Sequence, residues 1–184
     1  MLSSFLQKLL FVNQFDLKDG KIQILGNRYI MINAESISAL QEIDKDEIYN
    51  ASKKSSTDDL SKLVKHANVY RNMKNTELKS IAELSKKIGK TDDGIMRTLE
   101  TIFEIYGLGD LNIVKLDNSN KTALLKINDS TIALAQKETS KSPVCAITAG
   151  ILAGIFSFVF GKDVDCVEKK CKASGAAWCE FNIQ

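Results

Sequence analysis

The sequence predicts an α+β fold, an antiparallel sheet with helices packed against it, in a single domain of 184 residues. Three observations carry that expectation. Short apolar stretches bounded by turn residues gather towards both ends of the chain, and amphipathic stretches with helical spacing fill the middle. No repeat, low-complexity tract or proline-rich linker separates them. At 44% hydrophobic and 26% charged residues, a chain of this length buries roughly 70% of the surface its unfolded state exposes. Residues 1–56 are expected to hold a first helix, a strand meander and linking helices. Residues 57–107 form a helical layer, and 108–184 the sheet, a buried helix and two closing strands.

The first element is a helix, because Leu2, Phe5, Leu6, Leu9 and Leu10 recur at helical spacing. Strands follow at 15–17, 21–25 and 29–32, separated by Lys18-Asp19-Gly20 and Gly26-Asn27-Arg28. Asp-Gly and Gly-Asn tolerate positive φ and so reverse the chain. Residues 34–43 read as a helix with Ile37, Leu40 and Ile43 on one face. Thr57, Thr76 and Thr91 each precede acidic residues and an apolar stripe, which predicts three helix starts. The last of these helices carries Met96, Leu99, Phe103 and Tyr106 and stops at Gly107.

Residues 111–116, 122–127 and 131–135 then read as strands, with turns at 117–120 and 128–129. Residues 144–160 are a seventeen-residue apolar helix, and 164–169 and 178–183 are the closing strands. The apolar helix contains Gly150-x-x-x-Gly154, a spacing that permits close helix approach in lipid. Its length is at the bottom of the membrane-spanning range. It has no one-sided basic flank, so a core helix with a small-residue face (Ala146, Ala149, Gly150, Ala153, Gly154) is expected.

Charge and composition narrow the function classes. A net charge of +2, with lysine far in excess of arginine, gives no broad nucleic-acid footprint. The single histidine, His66, rules out a histidine-built metal site. A winged-helix DNA binder is the alternative, with residues 84–106 as helix-turn-helix and 112–127 as wing. Asp92 and Asp93 then stand at the helix end that meets bases, where basic residues are expected. No nucleophile–base pair stands out, and Gly107-Leu108-Gly109 lacks the third glycine of a dinucleotide loop. An enzyme is the less favoured reading. No cleavable signal is evident at the start, so a cytoplasmic protein with reduced thiols is expected.

All four cysteines fall within the last forty residues. Cys145 stands at the start of the apolar helix, Glu168 and Cys171 close together on the next strand, and Cys179 on the last. Three thiolates and a carboxylate complete a tetrahedral zinc set, closed and therefore structural. Lys162, Lys169, Lys170 and Lys172 lie nearby in sequence to offset its negative charge. Spacing alone leaves a second reading open, in which Cys145 and Cys166 are small core hydrophobes.

The stretch from Ala149 to Ile183 resembles the C-terminal signature of the 4-vinyl reductase domain family. Gly150, Gly154, Gly161, Glu168, Cys171, Gly175, Cys179 and Phe181 carry the likeness. Archaeal stand-alone members share the short first helix and the Lys-Asp-Gly turn. The resemblance implies the ligand-binding fold shared with trafficking-complex subunits and with sensory domains of bacterial activators, often as a homodimer. It implies zinc held by Cys145, Glu168, Cys171 and Cys179, with Cys166 left as a core thiol. It also implies a small-molecule ligand. Phenol-sensing relatives use histidine and tryptophan in the ligand-binding half, and residues 90–140 contain neither, which points to an apolar ligand. Met96, Phe103, Tyr106 and Trp178 are candidates for lining its pocket, against the alternative of plain core packing. A small hydrophobic molecule is thus the expected partner, with neither nucleic acid nor a membrane span.

Overall fold

The computed structural model describes residues 15–18, 21–24, 27–70, 99–100, 103–104, 106–136 and 138–184, with the side chains of 15–27 and 63–70 outside that description. The chain divides into two compact units, Met1–Asn33 and Ala34–Gln184. In the first, β1 (Phe15–Lys18), β2 (Lys21–Ile24) and β3 (Asn27–Tyr29) form an antiparallel meander. The third strand begins earlier than the sequence places it. Ile24 pairs with Asn27 directly across a two-residue connection, so Tyr29 already faces Ile22. Only Lys21 of β2 remains beyond that pair, and Ile30, Met31 and Ile32 continue outside the strand with exposed side chains. The predicted first helix lies outside the described residues, as do Thr76, Thr91 and Met96.

The second unit opens with α1 (Ala34–Ile43), at the predicted bounds. Its packing differs from the apolar stripe. Ile37 packs on the core, but Leu40 and Ile43 are exposed while Ser38 and Gln41 are buried. The polar pair is buried because it has partners. Ser38 Oγ donates to Gln136 Oε1 at 2.8 Å, and the Ile147 N–H donates to Gln41 Oε1 at 2.7 Å. A buried polar group that is hydrogen-bonded avoids the desolvation cost of an unpaired one.

The next helix, α2 (Lys45–Tyr70), is continuous through Thr57, where the sequence reading expected a start. Its cap is Asp44, whose Oδ1 accepts from the Glu47 N–H at 2.9 Å. Thr57 instead turns its hydroxyl back to the Lys53 carbonyl at 2.9 Å and across to the Gly154 carbonyl at 3.2 Å. Back-bonding of this kind lets threonine sit inside a helix.

Four strands make the main sheet, in the order β4 (Leu111–Asp117), β5 (Thr122–Ile127), β7 (Cys179–Ile183), β6 (Cys166–Lys170), every neighbour antiparallel. Ala123, Leu125 and Ile127 of β5 and Cys179, Phe181 and Ile183 of β7 share the buried face, as period-two alternation requires. The 112–127 hairpin has β5 paired with β7, so it is part of this sheet and not a projecting wing. Residues 131–135, predicted as a strand, form instead the single-turn helix α3 (Thr131–Leu134). Ser130 caps it by accepting from the Ala133 N–H, and adjacent Ile132 and Ala133 are both buried while Leu134 is exposed, a pattern no strand gives.

The apolar segment is α4 (Ala146–Phe160), ended by Gly161 in the left-handed region at φ 61°. Leu152, Ala153 and Phe156 are fully buried. The two glycines of its small-residue face explain how it packs. A Cβ on Gly150 would lie 2.3 Å from the Tyr49 carbonyl oxygen, and one on Gly154 2.3 Å from that of Lys53. Both contacts advance by four residues on each helix, so α2 and α4 run side by side in the same direction with nearly touching backbones. Among the described residues no helix is long and apolar enough to cross a membrane.

Tyr49 ties α2 to the entry of β6. Its hydroxyl donates to Asp165 Oδ1 at 3.1 Å and accepts from the Cys166 N–H at 2.9 Å. Burial pushes its phenol up from 10.0 to about 12. The folded state therefore keeps a proton that the unfolded chain releases above pH 10. That contribution is complete below pH 10 and is lost as pH rises through about 12. Urea unfolding between pH 10 and 12 should show stability falling more steeply for the native protein than for Tyr49→Phe; equal slopes would refute this role.

Candidate metal centre

Cys145, Glu168, Cys171 and Cys179 converge beneath the sheet's buried face. Each reaches the centre for a separate local reason. Cys145 is the residue preceding the first turn of α4, and the Ala149 N–H bonds its carbonyl. Lys45 Nζ donates to the Pro143 carbonyl at 3.0 Å, holding the approach to Cys145 from one side, and Gln41 holds Ile147 on the other. Glu168 lies on β6, paired with Phe181, so its side chain shares the face of the buried Cys166 two residues earlier. Cys171 ends β6 and caps a short 3-10 turn, Lys172–Ser174, closed by Gly175 at φ 91°. That turn returns the chain to Cys179 at the head of β7.

One ligand atom from each of the four residues lies within 4.8 Å of all the others. Cys145 Sγ is 3.8 Å from Cys179 Sγ and 4.0 Å from Cys171 Sγ. Sulfurs about 2.3 Å from a tetrahedral ion are separated by about 3.8 Å. All four cysteines of the chain are free thiols, so the separation is not that of a disulfide. The three sulfurs are essentially inaccessible to solvent. Glu168 Oε2 accepts from the Cys145 N–H at 2.9 Å, while its Oε1 is buried without a hydrogen-bond partner. A buried carboxylate oxygen without a donor is costly and is satisfied by a cation.

The electrostatics agree. Hydrogen bonds from Cys145 and Cys179 hold the Cys171 thiol far below its ordinary range. Contact with Cys171 and Cys179, together with burial, drives Cys145 the opposite way. Although its contact with Cys145 favours the anion, Cys179 is pushed up to about 12 by Cys171 and burial. Burial raises Glu168 to about 7, against the opposing pull of the Cys145 N–H. The cluster therefore carries one thiolate comfortably, and a divalent cation is needed for all three. The donor set of three sulfurs and one oxygen fits zinc.

Several details depart from the sequence expectation. Lys170 pairs with Glu180 at 3.0 Å and Lys172 with Asp129 at 2.9 Å, so these two are engaged by other carboxylates. The closest donors to the cluster are instead backbone N–H groups. Cys166 is buried but outside the cluster, its thiol raised by burial. Of the proposed pocket residues, Phe103 is fully buried in the core and Tyr106 is 46% exposed. Trp178 is half-buried, with Lys126 Nζ 4.2 Å and Lys170 Nζ 5.8 Å from its ring centre, and donates to Glu180 Oε2 at 3.5 Å. It thus sits with residues of the sheet face turned away from the core, apart from Phe103. The sequence reading missed Ser130, fully buried with its Oγ 3.6 Å from Cys145 Sγ. A capping serine before Thr131-Ile132-Ala133 was the available signal.

With this geometry in place, the likenesses to known proteins can be set beside it. Residues 125–184 match the 4-vinyl reductase domain, a span from β5 to the end of the chain that contains all four cluster residues. No curated protein matches the chain. The phenol-responsive sensory domain of the transcription activator PoxR, solved with phenol, superposes with a TM-score of 0.61 at 17% identity, covering 100% of this chain and 90% of its own. A vinyl-4-reductase family protein from Methanocaldococcus jannaschii gives 0.50 at 16% identity, covering 85% and 83%. A trafficking protein particle complex subunit 3 from Naegleria fowleri, solved covalently bound to palmitic acid, gives 0.49 at 12% identity, covering 84% and 82%. The first two likenesses show the fold, α+β with an antiparallel sheet and helices packed on it.

Proposed function

We propose that this chain, with a 4-vinyl reductase domain over residues 125–184, is a small-molecule-binding sensory or carrier domain whose C-terminal half is pinned by one structural zinc ion. The convergence of Cys145, Glu168, Cys171 and Cys179 carries the metal half of the reading. Four protein ligands leave no open position for water or substrate, so the ion supplies folding energy and not catalysis. The ligand half draws support from the full-length fold likeness to a phenol-responsive sensory domain. Here the ligand is an apolar molecule, because the chain has no histidine or tryptophan between residues 90 and 140 to grip a phenolic hydroxyl. Its pocket is built from the helical layer, with Met96, Phe103 and Tyr106 as lining, and the protein is a cytoplasmic homodimer. Trp178, set among lysines on the other face of the sheet, takes no part in that pocket.

Native mass spectrometry of protein purified without chelator tests both halves. One zinc per chain and an additional apolar mass released on denaturation are the expected result. Well under one metal per chain removes the zinc reading, and a metal-loaded protein that retains no apolar compound from a panel of simple arenes and fatty acids removes the ligand reading.

A further inference from the structure

Each of the four cluster ligands receives one hydrogen bond from outside the set. Cys179 Sγ accepts from the Lys172 N–H at 3.3 Å. Cys171 accepts from the Val144 N–H. Glu168 accepts from the Cys145 N–H at 2.9 Å. The remaining sulfur, Cys145 Sγ, has Ser130 Oγ 3.6 Å away. Three of the four donors are therefore backbone groups, fixed by the turns that carry them. Among the described residues only the fourth is a side chain.

The direction of that fourth bond follows from the hydroxyl's other contact. Ser130 Oγ already accepts from the Ala133 N–H at 3.5 Å, which occupies a lone pair and leaves its proton to be placed. Ser130 is fully buried, so water is not its acceptor. The sulfur beside it supplies one. The serine is itself held firmly. Thr131 Oγ1 donates to the Gly107 carbonyl, the Thr131 N–H bonds the Leu108 carbonyl at 3.4 Å, and a Cβ on Gly109 would lie 3.1 Å from Ser130 Cα.

We propose that Ser130 is a positioning residue for the metal centre, its hydroxyl donating to the Cys145 thiolate and thereby setting the metal affinity and the electron density on that sulfur. The proposal rests on the metal reading above. A donor to a thiolate ligand withdraws density from sulfur and fixes the ligand's orientation, and loss of such outer partners lowers metal affinity about 10- to 100-fold. It also links the loop at 107–110 to the cluster through a single side chain.

Cobalt(II) replaces zinc as the probe, because its thiolate-to-metal charge-transfer band reports the sulfur directly. Ser130→Ala removes both the donor and the helix cap. Ser130→Gly removes the donor but leaves a residue that caps nearly as well. Both should shift the band to lower energy and weaken cobalt about 10-fold in competition with a chelating dye. Ser130→Thr, which retains the hydroxyl, should restore the native band, and Thr131→Ala should leave it in place. If the full chain takes up cobalt and both donor-removing variants keep the native band and affinity, Ser130 has no such role, and the metal reading stands. If the native chain takes up no cobalt, the metal reading itself falls, and this proposal with it. Should Ser130→Ala fail to fold, Ser130→Gly decides the matter alone.

Discussion

Cys171→Ser should destabilise the protein by about 4 kcal/mol or more, the size associated with losing a structural metal and beyond what an ordinary core substitution costs. Cys171 sits 4.0 Å from Cys145 Sγ and takes its hydrogen bond from the segment that leads into α4. Its loss therefore uncouples β6 from the start of the buried helix. Serine is nearly the same size, so little of the effect comes from packing. Urea unfolding with and without a chelator separates the causes. The chelator should lower the stability of the native protein by a similar amount and have almost no effect on the variant, because both remove the same interaction. Cys166→Ser is the companion: it places a hydroxyl at a buried site outside the cluster and should cost roughly 1–3 kcal/mol while one metal per chain is retained. A Cys171→Ser protein as stable as the native one, with the same response to chelator, ends the structural assignment.

The second large effect belongs to the seam between α2 and α4. Gly154→Val should cost about 3 kcal/mol or more, at the upper end of overpacking penalties, because the new Cβ meets a backbone carbonyl and not a movable side chain. That Cβ would stand 2.3 Å from the Lys53 oxygen and 2.9 Å from Ser56 Cβ. Relief requires the helices to part, which breaks the Thr57 hydroxyl's contact with the Gly154 carbonyl and loosens the core around Leu152 and Phe156. Gly161→Ala supplies the contrast. Nothing lies within 4 Å of its Cβ, and only its φ of 61° is unfavourable, so about 1 kcal/mol is expected. Thermal melts of the two variants side by side give the comparison. Similar small shifts would mean that the close helix approach is not what Gly154 provides.

The metal centre was legible from residue type because few residue types bind zinc, and in this chain they crowd into one stretch. Glu168 and Cys171 are three residues apart on one edge of a hairpin, and Cys179 returns on the paired strand. Cys145 was firmly legible only through the family resemblance, since 23 residues separate it from Glu168 and the intervening helix fixes the distance between them. The helix boundaries show a similar divide. Asp44 and Glu47 form the Asp-x-x-Glu pattern of a capped start, which was readable, yet Thr57 with its two following acids gave an equally good local signal. The packed partner chose between them: against α4, Thr57 finds a carbonyl to bond inside a continuous helix.

The sequence by itself determined the antiparallel C-terminal strands, the long apolar helix with its paired glycines, and the chemical identity of the metal ligands. These follow from periodicity, turn chemistry and residue type, which act over a few neighbouring positions. Only the tertiary structure decided that α1 buries Ser38 and Gln41 in place of Leu40 and Ile43, that Thr131–Leu134 is a helical turn, and that Ser130 reaches Cys145. In each of these a polar group finds its partner at least 15 residues away or a short segment yields to the packing around it. A buried donor or acceptor outweighs local propensity by about a kcal/mol or more, roughly the whole span of the propensity scales. Such partners are set by how helices and sheet come together, which no local pattern records.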